Sequence, residues 1–373
     1  MRNTAAAVFV IQIVMNRPKH MMKLILSLLI IGSLFGFAPA QTAVSPAVNV
    51  RLVTDEAEAV LAILSKRKAG QPIDDADWQR VFESEGYVRL KKRELSFKRS
   101  FEDADFKTFL LSEQLTQRAE ALEQTLQRWK GVDITQAANL ALAYLPKDAR
   151  IQAKIYPVIK PRENSFVFEV KTDPAIFLYL DPAVSGPKFQ NTLAHELHHI
   201  GYGTSCPPPS TAAEIEKLPT NVQKAITWIG GFGEGFAMLA AAGGPDVHPH
   251  AVSNIEERPR WDKDVANFND DLKKVERFLL DILEGKLTDE QIQQTGFLFF
   301  GIQGPWYTVG WKMAVVIEKT YGRAKLIEVF CDHRKLLSTY NEAATRLNQK
   351  SDKPLALWSS AVVNLENGPP KKN

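Results

Sequence analysis

The sequence predicts an α+β protein, mainly helical, in which a small β-sheet and one histidine-rich helix are packed between N-terminal and C-terminal helical regions. Three observations predict it. Through residues 51–150 the apolar positions recur at three and four, as on the buried stripe of a helix. After Leu145-Pro146 the pattern changes to short alternating or β-rich runs, as in strands. Beyond Pro259 the helical spacing returns.

Residues 1–40 are read separately as a signal peptide. They hold Arg2, Arg17, Lys19 and Lys23 and no acid; without them the small basic excess of 46 Lys+Arg over 43 Asp+Glu becomes a slight acidic one. From Met22 the chain shows a basic start, an apolar stretch from Leu24 to Phe37 and small residues at Ala38 and Ala40, the layout of a cleaved targeting segment. Cleavage is expected after Ala40, with translation starting at Met21 or Met22, and the product exported to a periplasmic or secreted location. The alternative is an uncleaved anchor or a buried core helix.

The elements follow in order. Residues 41–50 are rich in small residues and read as a flexible leader. In the helical region 51–150, Val53, Ala57, Val60, Leu61 and Leu64 mark one stripe and Phe106, Phe109, Leu110, Leu115, Leu122 and Leu126 another. Residues 151–250 carry the sheet and the chemistry. Ile151–Ile159, Ser165–Val170 and Ala175–Leu180 are the expected strands, and Gly186-Pro187 opens a helix expected to stop at Gly201 and Gly203. A polar helix near Ala212–Lys217 and an apolar, glycine-spaced one from Gly231 to Ala242 come next. Residues 251–366 read as helices over Asp262–Glu284, Thr288–Gln294, Pro305–Tyr321 and Ala324–Tyr340, and residues 367–373 as a tail. No run reaches the ~18–20 apolar residues of a spanning helix, so no stable membrane span is expected after cleavage. The near-neutral remainder, with no basic patch among aromatics, excludes a nucleic-acid partner.

The chain has seven histidines, and three lie together in His195-Glu196-Leu197-His198-His199. Positions i and i+4 share a helical face, so His195 and His199 can hold one metal ion while Glu196 reaches a water on it. His198 falls off that face and is read as a neighbour of the site or a surface residue. A hydrolytic zinc site takes three protein ligands and keeps a position open. An extension with Gly at 202 and His or Asp at 205 is ruled out by Tyr202 and Ser205. A Glu about twenty residues on falls near Pro219, which leaves Glu214, Glu216 and Glu234. Glu234 is the only charged residue between Lys224 and Asp246. A carboxylate in so apolar a stretch must be neutralised, paired or metal-bound, whereas Glu214 and Glu216 belong to an ordinary polar helix. Glu234 is therefore the expected third ligand, the alternative being a buried Glu paired with a base or carried protonated. The glycines around it would let the helix approach that of His195 and His199. Cys206 and Cys331, the only cysteines, form either one long-range disulfide or two buried thiols.

His195-Glu196-x-x-His199 followed by Glu234-Gly235-Phe236-Ala237 resembles the gluzincin-type zinc metallopeptidases, in particular a bacterial exported family of zinc-dependent peptidases. The run Trp306-Tyr307-Thr308-Val309-Gly310-Trp311-Lys312-Met313-Ala314 is similar to a helix start in such families. The likeness is concentrated in residues 175–320. The long interval from His199 to Glu234 departs from the thermolysin-like pattern and leaves thermolysin-like substrate preferences unsupported. The resemblance implies a zincin-like fold, one Zn²⁺ per chain on His195, His199 and Glu234, Glu196 as general base, and a peptide or protein substrate. The strand Ala175–Leu180, with Phe177 and Tyr179, would be a sheet edge to which an extended peptide adds. Tyr307 is the first candidate to stabilise the oxyanion, against a core role beside Trp306 and Trp311; His248 and His250 are the second, against an exposed loop. Two other readings stand beside this one: a zinc hydrolase of a non-peptide amide or ester, and a non-catalytic binding module that retains the metal.

Overall fold

The structure, a computed structural model, describes residues 47–365; the segment read as a signal peptide, the start of the leader and the tail lie outside the described residues. Four strands, β1 (Val48–Leu52), β2 (Ile151–Val158), β3 (Phe166–Phe168) and β4 (Ala175–Tyr179), form one sheet in the order β1-β2-β4-β3. The first three in that order run parallel, and β3 pairs antiparallel with the outer side of β4. Between β1 and β2 lie helices α1 (Asp55–Lys68), α2 (Asp75–Phe82), α3 (Glu85–Ser96), α4 (Asp103–Leu110), α5 (Glu113–Lys130) and α6 (Ile134–Leu142). Then follow α7 (Gly186–Ser205), α8 (Pro209–Ile215), α9 (Thr220–Ile229), a 3₁₀ turn at Gly230–Phe232, and α10 (Gly233–Ala242). The C-terminal region holds α11 (Glu257–Ala266), α12 (Phe268–Leu283), α13 (Asp289–Leu298), α14 (Pro305–Tyr321), α15 (Arg323–Cys331), α16 (His333–Asn348) and α17 (Ser360–Val363). The fold is thus α+β and mainly helical.

Several expectations change. The leader 41–50 does not stay irregular to its end, because Val48–Leu52 pairs with Ile151–Ile155 as an edge strand. The helices expected over Asp262–Glu284 and Ala324–Tyr340 are each two, divided at Asn267 and Asp332. The stretch Thr220–Ala242 is long and apolar enough to cross a membrane by length and composition, contrary to the count made from sequence. Here it is core, with 83% of its most apolar window buried.

The sheet is covered on both faces. Ile155, Ile176 and Leu178 enter the main core, while Tyr156, Val158, Ala175 and Phe177 meet Leu90 of α3 in a second cluster. Two buried faces explain why Ala175–Leu180 reads as an unbroken apolar run. The pairing of β3 along the other side of β4 overturns the edge assignment. β4 is an interior strand, and Phe177 is fully buried, its ring stacked 4.8 Å from that of Tyr156 and 5.0 Å from that of Phe166. The three residues of β3 turn back over β4, and the N–H of Tyr179 donates to Ser165 Oγ at 3.1 Å.

Helix α7 starts where the sequence predicts. The Ser185 hydroxyl accepts from the N–H of Lys188, and Pro187 occupies the first turn. The helix does not stop at Gly201, however, and runs on to Ser205. Gly201 serves packing instead, since a Cβ there would strike Leu145 and press on Ile151.

Candidate metal centre

Helix α7 presents His195 and His199 on one face, and α10 lies alongside with Glu234 one residue from its start. The three groups converge. Glu234 Oε2 is 3.2 Å from both His195 Nε2 and His199 Nε2, and the two imidazole nitrogens are 3.0 Å apart. All three residues are buried, Glu234 completely. Burial alone would raise the Glu234 carboxyl; His199 and His195 reverse this and hold it well below the usual carboxylate range. Glu214 and Glu216 are exposed, and Glu214 pairs with Arg334 at 2.9 Å.

This donor set fits a zinc ion. Four ligands at ~2.0–2.1 Å in a tetrahedron stand ~3.3 Å apart, close to the spacing seen here. Among the described residues Glu234 Oε1 is buried without a hydrogen bond of ordinary geometry. The position of α10 depends on its glycines, though not as expected. A Cβ on Gly235 would overlap the backbone of Gly310 and Trp311, so the close approach is to α14 and not to α7.

The centre opens into a cleft of about 620 Å³ walled in part by His195, Glu196, Tyr307, Tyr179 and His250. Glu196 is 5% exposed and its Oε2 has no hydrogen-bond partner among the described residues. Burial pushes its carboxyl up to about 7, with His195 opposing and Glu234 reinforcing the shift. Tyr307 lies parallel to His195, ring centroids 6.4 Å apart. Burial, and then Glu234 and Glu196, raise its hydroxyl well above the ordinary tyrosine range, so it stays protonated as a donor. It is thus both a core aromatic and a cleft residue. Tyr179 keeps a place in the wall, its hydroxyl accepting from Arg118 at 3.1 Å.

His198 is buried, not on the surface. Its Nε2 lies 3.4 Å from the carbonyl of Tyr144, and its ring meets Phe236 edge-on at 4.6 Å. His250 is likewise buried and part of the cleft wall, and does not lie in the exposed loop that the sequence reading favoured. Its Nδ1 is 3.1 Å from Glu257, which also pairs with Lys188 of α7 at 3.5 Å. His248 sits further out against Asp262. Glu257, Lys188 and Gln303 were not foreseen as cleft residues. Pro249, which stiffens the chain between the two histidines, was the one local hint. Cys206, just past α7, and Cys331, at the end of α15, are joined as a disulfide.

Over residues 70–349 the chain matches the family described as "Putative zinc dependent peptidase (DUF5700)". Searches of curated proteins and of solved structures find no significant match. The match spans most of the chain and contains His195, Glu196, His199 and Glu234 together, and the protein therefore belongs to this family.

Proposed function

We propose that the protein is an exported, gluzincin-type zinc metallopeptidase that hydrolyses peptide bonds. The observation that carries this reading is the convergence of His195, His199 and Glu234 beside a cleft that His195 and Glu196 line, with Glu196 Oε2 left without a hydrogen-bond partner among the described residues. His195 Nε2, His199 Nε2 and Glu234 Oε2 would hold one zinc per chain. When bound there, zinc would polarise the scissile carbonyl and bring the pKa of a water to about 7.

The residues supply the rest. Glu196, which lines the cleft beside His195, is placed to take a proton from the attacking water and to return it to the leaving amine. The Tyr307 hydroxyl, kept protonated, is the donor for oxyanion charge that develops on the substrate. The buried Phe177 does not line the cleft, whose wall includes Tyr179 at the end of β4 and the segments around His250 and Gln303.

Metal analysis of the purified protein tests the centre. About one zinc per chain is expected in wild type and in Glu196→Gln, and a large loss in Glu234→Ala. Against denatured casein, Glu196→Gln should lose at least about 10²-fold in kcat. Full zinc in Glu234→Ala would remove that ligand, and retained turnover in Glu196→Gln would remove the general base.

A further inference from the structure

Gln303 is the residue whose surroundings the proposed chemistry leaves unexplained. It lies in the short connection between α13 and α14 and forms part of the cleft wall. Its backbone φ is +61°, a left-handed conformation that a non-glycine residue seldom adopts unless its surroundings impose it. Its side chain is pinned at one end, with Nε2 2.7 Å from His250 Nε2. At the other end, Oε1 is buried and meets no donor among the described residues, in a residue 8% exposed.

The direction of the hydrogen bonds is dictated from the far side of His250. Glu257 is held down to about 2, first by its bond to His250, so it is a carboxylate and can only accept. His250 is kept neutral by burial. Its single proton therefore sits on Nδ1, 3.1 Å from Glu257, with Ser253 Oγ 2.9 Å from the same nitrogen. His250 Nε2 is then a lone pair, and Gln303 must turn its NH₂ toward it. The carbonyl oxygen is left as a fixed acceptor without a partner, a costly state that a ligand donor would relieve. Val252 and Ile302, both partly exposed and apolar, line the same cleft. A fixed side-chain acceptor beside apolar contacts suits an extended peptide, whose backbone offers N–H groups between its side chains.

We infer that Gln303 is a substrate-binding residue whose Oε1 accepts a backbone N–H of the bound peptide, with His250 and Glu257 acting as positioning residues behind it. This rests on the peptidase reading and adds the group that holds the substrate's main chain. The test uses a peptide that the zinc-loaded wild type releases from denatured casein, extended across its cut site and resynthesised with each backbone N–H near the scissile bond replaced in turn by an ester oxygen. One such replacement should raise KM roughly tenfold in wild type with little change in kcat. Gln303→Met should show that raised KM already on the all-amide peptide, keep its zinc, and be indifferent to the same replacement. Gln303→Ala, which loses the same acceptor with less bulk, should be equally indifferent. Calorimetric binding to Glu196→Gln, with and without Gln303→Met, should repeat the pattern in the absence of turnover. If every replacement costs wild type and both Gln303 variants alike, the assignment is overturned while the peptidase reading stands. A wild type that binds zinc but cuts no peptide overturns the peptidase reading, and this assignment with it.

Discussion

Glu56, Glu196 and Glu234 are three buried carboxyls with different fates, decided by what each one meets. Glu234 meets two imidazoles and stays ionised, whereas Glu196 has no partner on Oε2 and moves up to about 7. Glu56, on α1, accepts only the N–H of Ile159 at 3.1 Å, and burial pushes it up to about 8. The folded state therefore keeps a proton on Glu56 that the unfolded chain loses above about 4.5. Its contribution to stability is complete below that pH and is lost as pH rises toward 8. Lys160, pushed down to about 7 by burial, acts in the opposite sense above neutrality, where the unfolded chain binds the extra proton. Glu56→Gln keeps the acceptor for Ile159 and removes the titration. Urea unfolding at pH 5, 6.5 and 8 should show the variant gaining on wild type with pH, by at most about 1.4 kcal/mol per pH unit. Parallel curves would mean that Glu56 is ionised in the fold. The His-Glu-x-x-His ligands were legible at this scale because i, i+4 geometry is local. Glu234 was legible as a buried charge because its neighbours are apolar, but its direction was not.

Three glycines show how elements place the centre. Gly235 of α10 lies against the backbone of α14, which has no freedom to give way, and Gly310 of α14 approaches the backbone of Phe232 in return. Gly201 of α7 lies instead against side-chain ends of Leu145 and Ile151. Gly235→Ala should therefore cost about 3 kcal/mol or more and displace Glu234, with zinc content falling alongside the melting temperature. Gly201→Ala should cost less, since those side chains can shift. Equal losses would show that the α10–α14 contact is not backbone-limited. The glycine spacing announced a close helix approach, but a one-dimensional pattern shows which face is small and not which helix meets it. The same gap explains β4. Its apolar run fits any strand with two buried faces, and only pairing with β3 makes it interior.

Across the whole molecule, the Cys206–Cys331 bond closes a loop of 125 residues that contains α10 and α14, and it ties the end of α7 to α15. Tyr202 adds to that junction, its hydroxyl bonded to the carbonyl of Phe330 and 2.6 Å from His333. Constraining so long a loop in the unfolded chain is worth about 5 kcal/mol in the chain-entropy model, and measured values commonly fall between about 2 and 5. The Cys206→Ala/Cys331→Ala double variant should lose stability in that range by denaturant unfolding, and reductant should lower wild type to the same level. A variant as stable as wild type would show that the packing of Tyr202 and Phe330 holds the junction by itself.

The sequence by itself determined the mainly helical α+β class, the helix bearing His195, Glu196 and His199, and the burial of Glu234. Each of these is a matter of residue type and short-range spacing, which follow from the 3.6-residue turn and from the cost of burying charge. Only the tertiary structure decided that Glu234 points at the two imidazoles, that β4 is enclosed, that Cys206 and Cys331 meet, and that His250 and Gln303 wall the cleft. Those are encounters between segments far apart in the chain. They are set by how whole helices and strands pack, so the residues involved carry no local mark of the partner they will find.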